Sequence, residues 1–467
     1  RARKRLLREY PHLVQPMQFL LALGPGSRRS AFAVRAGLWL YGRMGGSSVG
    51  KALSEIDRKR LEQWLDSGQR WSIFDFEDAQ CEFPERLVAE WLVEAIQAGA
   101  MVRNYMRVLA INVAHGKALG VFLRDQLTGK EKQVDANWII NATGPWADRI
   151  CQRSSIRMAH PLLGGLRGSH IVVPRFSGAP TTALYTEATD GRPFFVVPWN
   201  EQVLVGTTEV SDNGDPRKAQ PSPEETEYLL ASLKKLFPRA NIGATDIRYA
   251  FAGVRALPFS PRQKPDAISR RHLLHDHAED GAAHMISVIG GKLTTAAELA
   301  RECARKIGLP ASRPRALGLL AGDGLDPVLD DWVLRIAEAG GVSESTARGI
   351  VEWHGKRSVD IARMALSSAV LRAPLCPHTE HVVAEAVDAL SNECAVTLGD
   401  VLLRRVPVAL GPCWSEACSR EAASRIGAAM GWNDNEIAAE LESFEEERAA
   451  FLHKPSRLNV PVEAAAD

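Results

Sequence analysis

Cysteine is scarce in this chain: there are seven in 467 residues, odd in number and scattered. Such usage gives no disulfide framework and suits free thiols in a reducing compartment, so the reading is a cytoplasmic protein. Neither charge is in excess. Lys and Arg number 57 against 56 Asp and Glu, which argues against bulk attraction to nucleic acid. Long apolar runs are missing as well: residues 19–23 and 31–41 fall short of the about twenty that a spanning helix needs, and the second run contains Arg35. No charged start, apolar core and small-residue cleavage site follow Arg1, so no signal peptide is expected. With 45% apolar and 24% charged residues the chain is neither disordered nor fibrous, and its length suits two or three domains.

What is present is a change of pattern along the chain. Residues 84–99 carry Leu87, Val88, Trp91, Leu92, Ala95 and Ile96 at helical spacing, with Gly99 placed to end a helix. Strand-like runs follow at 101–111, 118–125 and 138–141, the last apolar as a strand buried on both faces would be. Short β-rich runs at 170–173, 183–186, 194–197 and 203–205, separated by Gly and Pro, predict a mostly antiparallel sheet. Helix is predicted over 221–236, from the Ser222-Pro223-Glu224-Glu225 start, and over 294–307, with a strand at 285–289 before the second. Pro-rich 310–314 and Gly-rich 318–324 mark a boundary, beyond which 326–453 read almost wholly as helix.

Two turns are candidates for chemistry, although the first, taken alone, reads more readily as a tight strand-to-helix turn with Trp146 as a core aromatic. Asn141-Ala142-Thr143-Gly144-Pro145-Trp146 follows a buried strand, at the end of a parallel strand where open α/β sheets bind ligands. Ile289-Gly290-Gly291-Lys292-Leu293-Thr294-Thr295 again joins strand, glycines and helix start, where backbone N–H groups favour an anion or a polar cofactor edge. It is not a Walker loop, because that motif's leading glycine is missing from its place. Between the turns, Arg167-Gly168-Ser169-His170, Gly206-Thr207-Thr208-Glu209 and Gly253-Val254-Arg255 each set a polar side chain beside a glycine, which suggests one polar pocket. Arg255 and Lys292 suit a phosphate, the first as a bidentate fork and the second as a point charge. Singly, each of these residues reads more readily as a surface ion pair, and His170 as a hydrogen-bonded core histidine, than as a functional group.

In order and spacing these strings resemble the FAD-dependent, quinone-reducing glycerol-3-phosphate dehydrogenases. Tyr10 to Leu13, Arg167 to Pro174, Val197-Pro198-Trp199, Asp215-Pro216, Thr397 to Arg405 and Gly431-Trp432 extend the resemblance over nearly the whole chain. It implies an α/β, D-amino-acid-oxidase-like FAD-binding domain over 1–150 and 259–310, an antiparallel substrate cap over 151–258 and an all-α C-terminal domain over 311–467. By the same resemblance Ala142, Thr143, Gly144 and Trp146 would line FAD, and Gly290, Gly291, Lys292, Leu293 and Thr294 would lie at the flavin. Arg255, Arg270 and Lys292 would surround glycerol 3-phosphate, with Thr208 and His170 completing the wall and His170 taking the hydroxyl proton. The resemblance further implies electron transfer to a quinone at the inner face of the cell membrane, with the protein bound there peripherally; a homodimer is left open.

The family's opening strand, G-x-G-x-x-G turn and acidic ribose ligand are absent from this sequence, so the chain is expected to be N-terminally incomplete and to bind FAD poorly as it stands. Rival readings are an amine- or amino-acid-oxidising flavoenzyme of the same fold and a non-catalytic remnant without FAD. No metal is expected: Cys376, His378 and His381 lack a second cysteine pair at zinc spacing, and Cys394, Cys413 and Cys418 do not make an iron–sulfur pattern. The basic cluster Arg1, Arg3, Lys4, Arg5 and Arg8 reads as a solvated helix face.

Overall fold

Ser222 begins its helix as the sequence predicts. Its Oγ accepts from Glu225 N at 3.3 Å while the Glu225 carboxylate accepts from Ser222 N at 3.0 Å, a reciprocal cap on the helix Pro223–Leu236. The helix turns Leu229, Leu230, Leu233 and Leu236 onto a sheet face built from Ile171, Val173, Val203 and Val205. Burying each such side chain is worth about 1.5–3 kcal/mol, so this layer anchors the middle of the chain.

The computed structural model describes residues 2–45, 55–188, 190–260, 268, 270–310 and 328–453. Fourteen strands lie among them: β1 (Val14–Leu23), β2 (Ser72–Cys81), β3 (Met106–Ala114), β4 (Lys117–Asp125), β5 (Glu131–Asp135), β6 (Ile139–Asn141), β7 (Leu163–Pro174), β8 (Ala183–Glu187), β9 (Pro193–Trp199), β10 (Gln202–Gly206), β11 (Val210–Ser211), β12 (Tyr249–Pro258), β13 (Leu273–Asp276) and β14 (Met285–Ile289). The largest sheet runs β11-β7-β10-β9-β8-β1-β2, with β12 paired to β7. Its pairings are antiparallel except β1 with β8. A second sheet, β13-β14-β6, has β14 parallel to β6, and β3-β4-β5 form an antiparallel meander.

Two expectations change here. The stretch 1–150 does not stay in one unit, because β1 and β2 hydrogen-bond into the sheet that holds the expected cap strands. The run at 138–141 is not covered on both faces: β6 begins at Ile139, Ile140 is 40% exposed, and Trp138 instead stacks on His284 at 4.7 Å. The Pro- and Gly-rich boundary beyond residue 310 lies outside the described residues.

From 328 to 453 every regular element is helical. This region is locked to the helix Pro84–Gln97 by Arg86, which is fully buried. Its guanidinium donates to Glu393 at 2.6 Å, to the Trp353 carbonyl at 2.9 Å and to Glu90. Arg357 adds bonds to Glu393 and Asp388, so the charges in the interface are compensated, as buried charges must be.

Candidate active site

The parallel pairing of β14 with β6 sets Ser287 opposite Asn141, so the two chemistry-bearing turns leave the same sheet edge side by side. Gly144, Gly290 and Gly291 have φ of +59°, +71° and +106°, a region that side-chain-bearing residues rarely adopt. A Cβ at Gly290 would stand 3.2 Å from the Arg271 carbonyl and 3.6 Å from that of Ala256, the neighbour of Arg255. The second turn therefore rests against the strand that carries Arg255. Ala142 and residues 291–294, Lys292 included, are exposed at the mouth of this region. Thr143, Gly144 and Trp146 are half-buried, and Thr143 Oγ1 donates to Asn141 Oδ1 at 2.7 Å.

Arg255 is held on three sides. It donates through Nη1 to Glu209 Oε1 at 2.9 Å and through Nη2 to Thr207 Oγ1 at 3.1 Å. Across the β7–β12 pairing, Gly168 leaves room for it, since a Cβ there would lie 2.6 Å from Nη2. Arg270, 57% exposed, reaches the same Glu209 oxygen at 3.3 Å. Two arginines thus share one carboxylate that is itself only 11% exposed. The cluster keeps an excess of positive charge facing solvent, which is the arrangement an incoming dianion needs.

His170 lies on the same strand as Gly168 and stacks on Phe251 with ring centroids 5.5 Å apart. Gly206 lets the ring in, because a Cβ there would be 2.1 Å from His170 Cδ2. Burial first, and then the Arg255 charge, bring the imidazole down to about 4, so it is neutral at physiological pH and a weaker base than a free imidazole.

Thr208 is placed differently from the expectation. Its hydroxyl is buried, donating to Glu225 Oε1 at 2.6 Å and accepting from Ser169 N at 2.9 Å. Thr207, the residue before it, is the one beside Arg255. Arg167 is likewise structural, paired with Asp212 at 2.8 Å and Glu225 at 2.6 Å. Glu209, Thr207 and Phe251 were not assigned roles from sequence. Glu209 lies in the Gly206–Glu209 string, but only the fold shows that two arginines meet on it.

The description FAD dependent oxidoreductase fits residues 1–304, and that of the C-terminal domain of alpha-glycerophosphate oxidase fits residues 282–437. The chain is 31% identical over 434 residues to glycerol-3-phosphate dehydrogenase of Synechocystis sp., covering 88% of this chain and 77% of that protein. It is 31% identical over 301 residues to D-erythritol 1-phosphate dehydrogenase of Brucella abortus, covering 64% of this chain and 59% of that protein. The structure of glycerol-3-phosphate dehydrogenase from Bacillus halodurans complexed with FAD matches with a TM-score of 0.77 at 20% identity, over 98% of this chain and 86% of that one, and so shares its fold. With its D-amino-acid-oxidase-like sheets, its helical C-terminal domain and these matches, the chain belongs to the FAD-dependent oxidoreductases of the glycerol-3-phosphate dehydrogenase family, whose cofactor is FAD.

Proposed function

We propose that this protein oxidises sn-glycerol 3-phosphate to dihydroxyacetone phosphate in glycerol catabolism and passes the electrons to a quinone. The observation that carries the reading is the Arg255–Glu209–Arg270 cluster beside a neutral, half-buried His170, next to two glycine turns at the ends of parallel strands. Bound FAD supplies the acceptor for the hydride from C2. Arg255, Arg270 and Lys292 hold the phosphate, and His170 takes the hydroxyl proton as the carbonyl forms, a role typically worth about 10²–10⁴-fold in rate.

The residues of the two turns fit their part of the cofactor. At Gly144 a Cβ would meet nothing within 4 Å, so the first turn is open to a ligand, and the second presents residues 291–294 at the surface. In this reading Ala142, Thr143, Gly144 and Trp146 line FAD, and Gly290, Gly291, Lys292, Leu293 and Thr294 stand at its ring system. A cleft of about 440 Å³ adjoins Thr143 and Trp146, and Arg107, Arg149, Arg153 and Arg217 line it, a cationic wall suited to the cofactor's phosphates.

Peripheral attachment to the membrane is part of the same proposal. Among the described residues no helix is long and apolar enough to cross a membrane. The helix Ala31–Gly45 exposes Phe32 at 83% and Trp39 at 62%, with Arg28 and Arg29 just before it, which suits an interfacial seat. A second reading, oxidation of another polyol phosphate, keeps the same phosphate cluster and follows from the Brucella relative.

The test is anaerobic flavin reduction. With FAD bound, glycerol 3-phosphate should bleach the flavin absorbance within seconds, and amino acids should not. A flavin that stays oxidised with glycerol 3-phosphate sinks the proposal, and reduction by erythritol 1-phosphate alone moves it to the second reading.

A further inference from the structure

Behind the turn of residues 142–146 lies a line of side chains that the chemistry above does not use. Asp280 Oδ2 is 2.8 Å from His277 Nδ1, and His277 Nε2 is 2.7 Å from Ser287 Oγ. Asn141 Nδ2 reaches the same Ser287 oxygen at 3.0 Å, and Asn141 Oδ1 receives the Thr143 hydroxyl at 2.7 Å. His277, Ser287 and Asn141 are buried.

Proton counting sets the direction of every bond. The Asn141 amide is oriented by its neighbours, Nδ2 donating to the Ala147 carbonyl at 3.2 Å and Oδ1 accepting from Thr143. Nδ2 can only donate, so Ser287 Oγ accepts there and has one proton of its own to give. His277 Nε2 is the strong acceptor within reach; Cys151 Sγ, 3.8 Å from that nitrogen, is a weak one. The imidazole proton therefore sits on Nδ1 and points at the Asp280 carboxylate. Burial keeps the ring below the usual histidine range, which Asp280 partly offsets and His275 reinforces.

His275, His277 and Asp280 also lie close enough together to suggest a cation. A cation on His277 Nδ1 would move the ring proton to Nε2 and leave the Ser287 hydroxyl proton without that acceptor. His275 Nε2, 2.7 Å from Asp280, is explained by a hydrogen bond instead.

We propose that Asp280, His277 and Ser287 are positioning residues, holding Asn141 and through it the Thr143–Trp146 turn in the shape that receives FAD; this rests on the cofactor reading of that turn given above. The bracket works because both arms of the Asn141 amide are engaged. One ties to β14 through Ser287, the other spans its own turn.

The experiment compares the full-length wild type with Ser287→Ala, His277→Ala and His277→Gln, the last presenting an amide acceptor and donor in place of the ring nitrogens. Nitrogen-15 NMR of histidine-labelled wild type should show His277 as the Nδ1–H tautomer. Ser287→Ala and His277→Ala should speed amide exchange at residues 143–147 at least tenfold and weaken FAD binding at least fivefold. The KM for glycerol 3-phosphate at saturating FAD should stay within twofold, and His277→Gln should recover most of the FAD affinity. An Nε2–H tautomer, stoichiometric zinc bound through His277, or wild-type exchange and FAD affinity in Ser287→Ala would each overturn the proposal. Should His277→Ala fail to fold, Ser287→Ala, which removes a single oxygen, and the wild-type tautomer decide it. A turn that loosens in Ser287→Ala with no change in FAD affinity would keep the bracket and refute the cofactor reading of the turn.

Discussion

Arg255 and Glu209 form an ion pair at 2.9 Å, on an oxygen that Arg270 also reaches. The carboxylate does not neutralise the arginines; it fixes them. One negative charge aims two guanidinium groups, which spares the substrate part of the cost of ordering long side chains.

Arg255→Ala should raise the KM for glycerol 3-phosphate roughly 10- to 100-fold, because a hydrogen bond to a charged group is worth about 1.5–3 kcal/mol. Arg255→Lys should fall between, keeping the charge but losing the fork. Steady-state kinetics at saturating FAD decide this, and an unchanged KM in the alanine variant removes Arg255 from the site.

Gly168→Ala is a test that leaves every polar group in place. The added Cβ would lie 2.6 Å from Arg255 Nη2 and 2.9 Å from Thr207 Oγ1, so the guanidinium must shift. The KM should rise several-fold while the flavin spectrum stays that of the wild type. Equal KM values would mean that the position of Arg255 is immaterial.

The neutral state of His170 has a pH signature. Its value in the folded protein is about 4 against 6.5 for a free imidazole. Between those values the unfolded chain binds a proton that the folded chain refuses, so stability rises with pH across the window. His12, which is buried and held at about 3, acts in the same direction. His170→Gln should remove part of the slope of unfolding free energy between about pH 4 and 6.5 and should lower kcat with FAD still bound. A full kcat would exclude His170 as proton acceptor.

Thr208→Val should act on stability and not on substrate. Losing the hydroxyl strips Ser169 N of its acceptor and Glu225 of a donor, at a cost of about 1–3 kcal/mol. Chemical denaturation should show the loss while KM holds. The reverse pattern would return Thr208 to the substrate wall.

The pieces that read correctly from sequence are those governed by neighbours a few residues apart. The Ser222–Glu225 cap, the strand at 285–289 and the helix over 84–97 follow from local chemistry, and the structure has them. The turn that joins a strand to a helix start through Gly290 and Gly291 follows in the same way. Misplacements arose where a partner lies far along the chain. No local pattern in β1 announces that it pairs in parallel with β8, and Ile140 reads as core until its face is seen to be open.

By itself, then, the amino-acid order determined the helices, the turns, the helical C-terminal region and the family, because caps, glycines and apolar periods act locally and motifs keep their spacing. Only the tertiary structure decided that Thr207 rather than Thr208 stands beside Arg255, that Glu209 gathers two arginines, and that Asn141 answers to a serine 146 residues away. Each of these depends on strand register and on which face of the backbone a side chain leaves, and one residue of slip would reverse it.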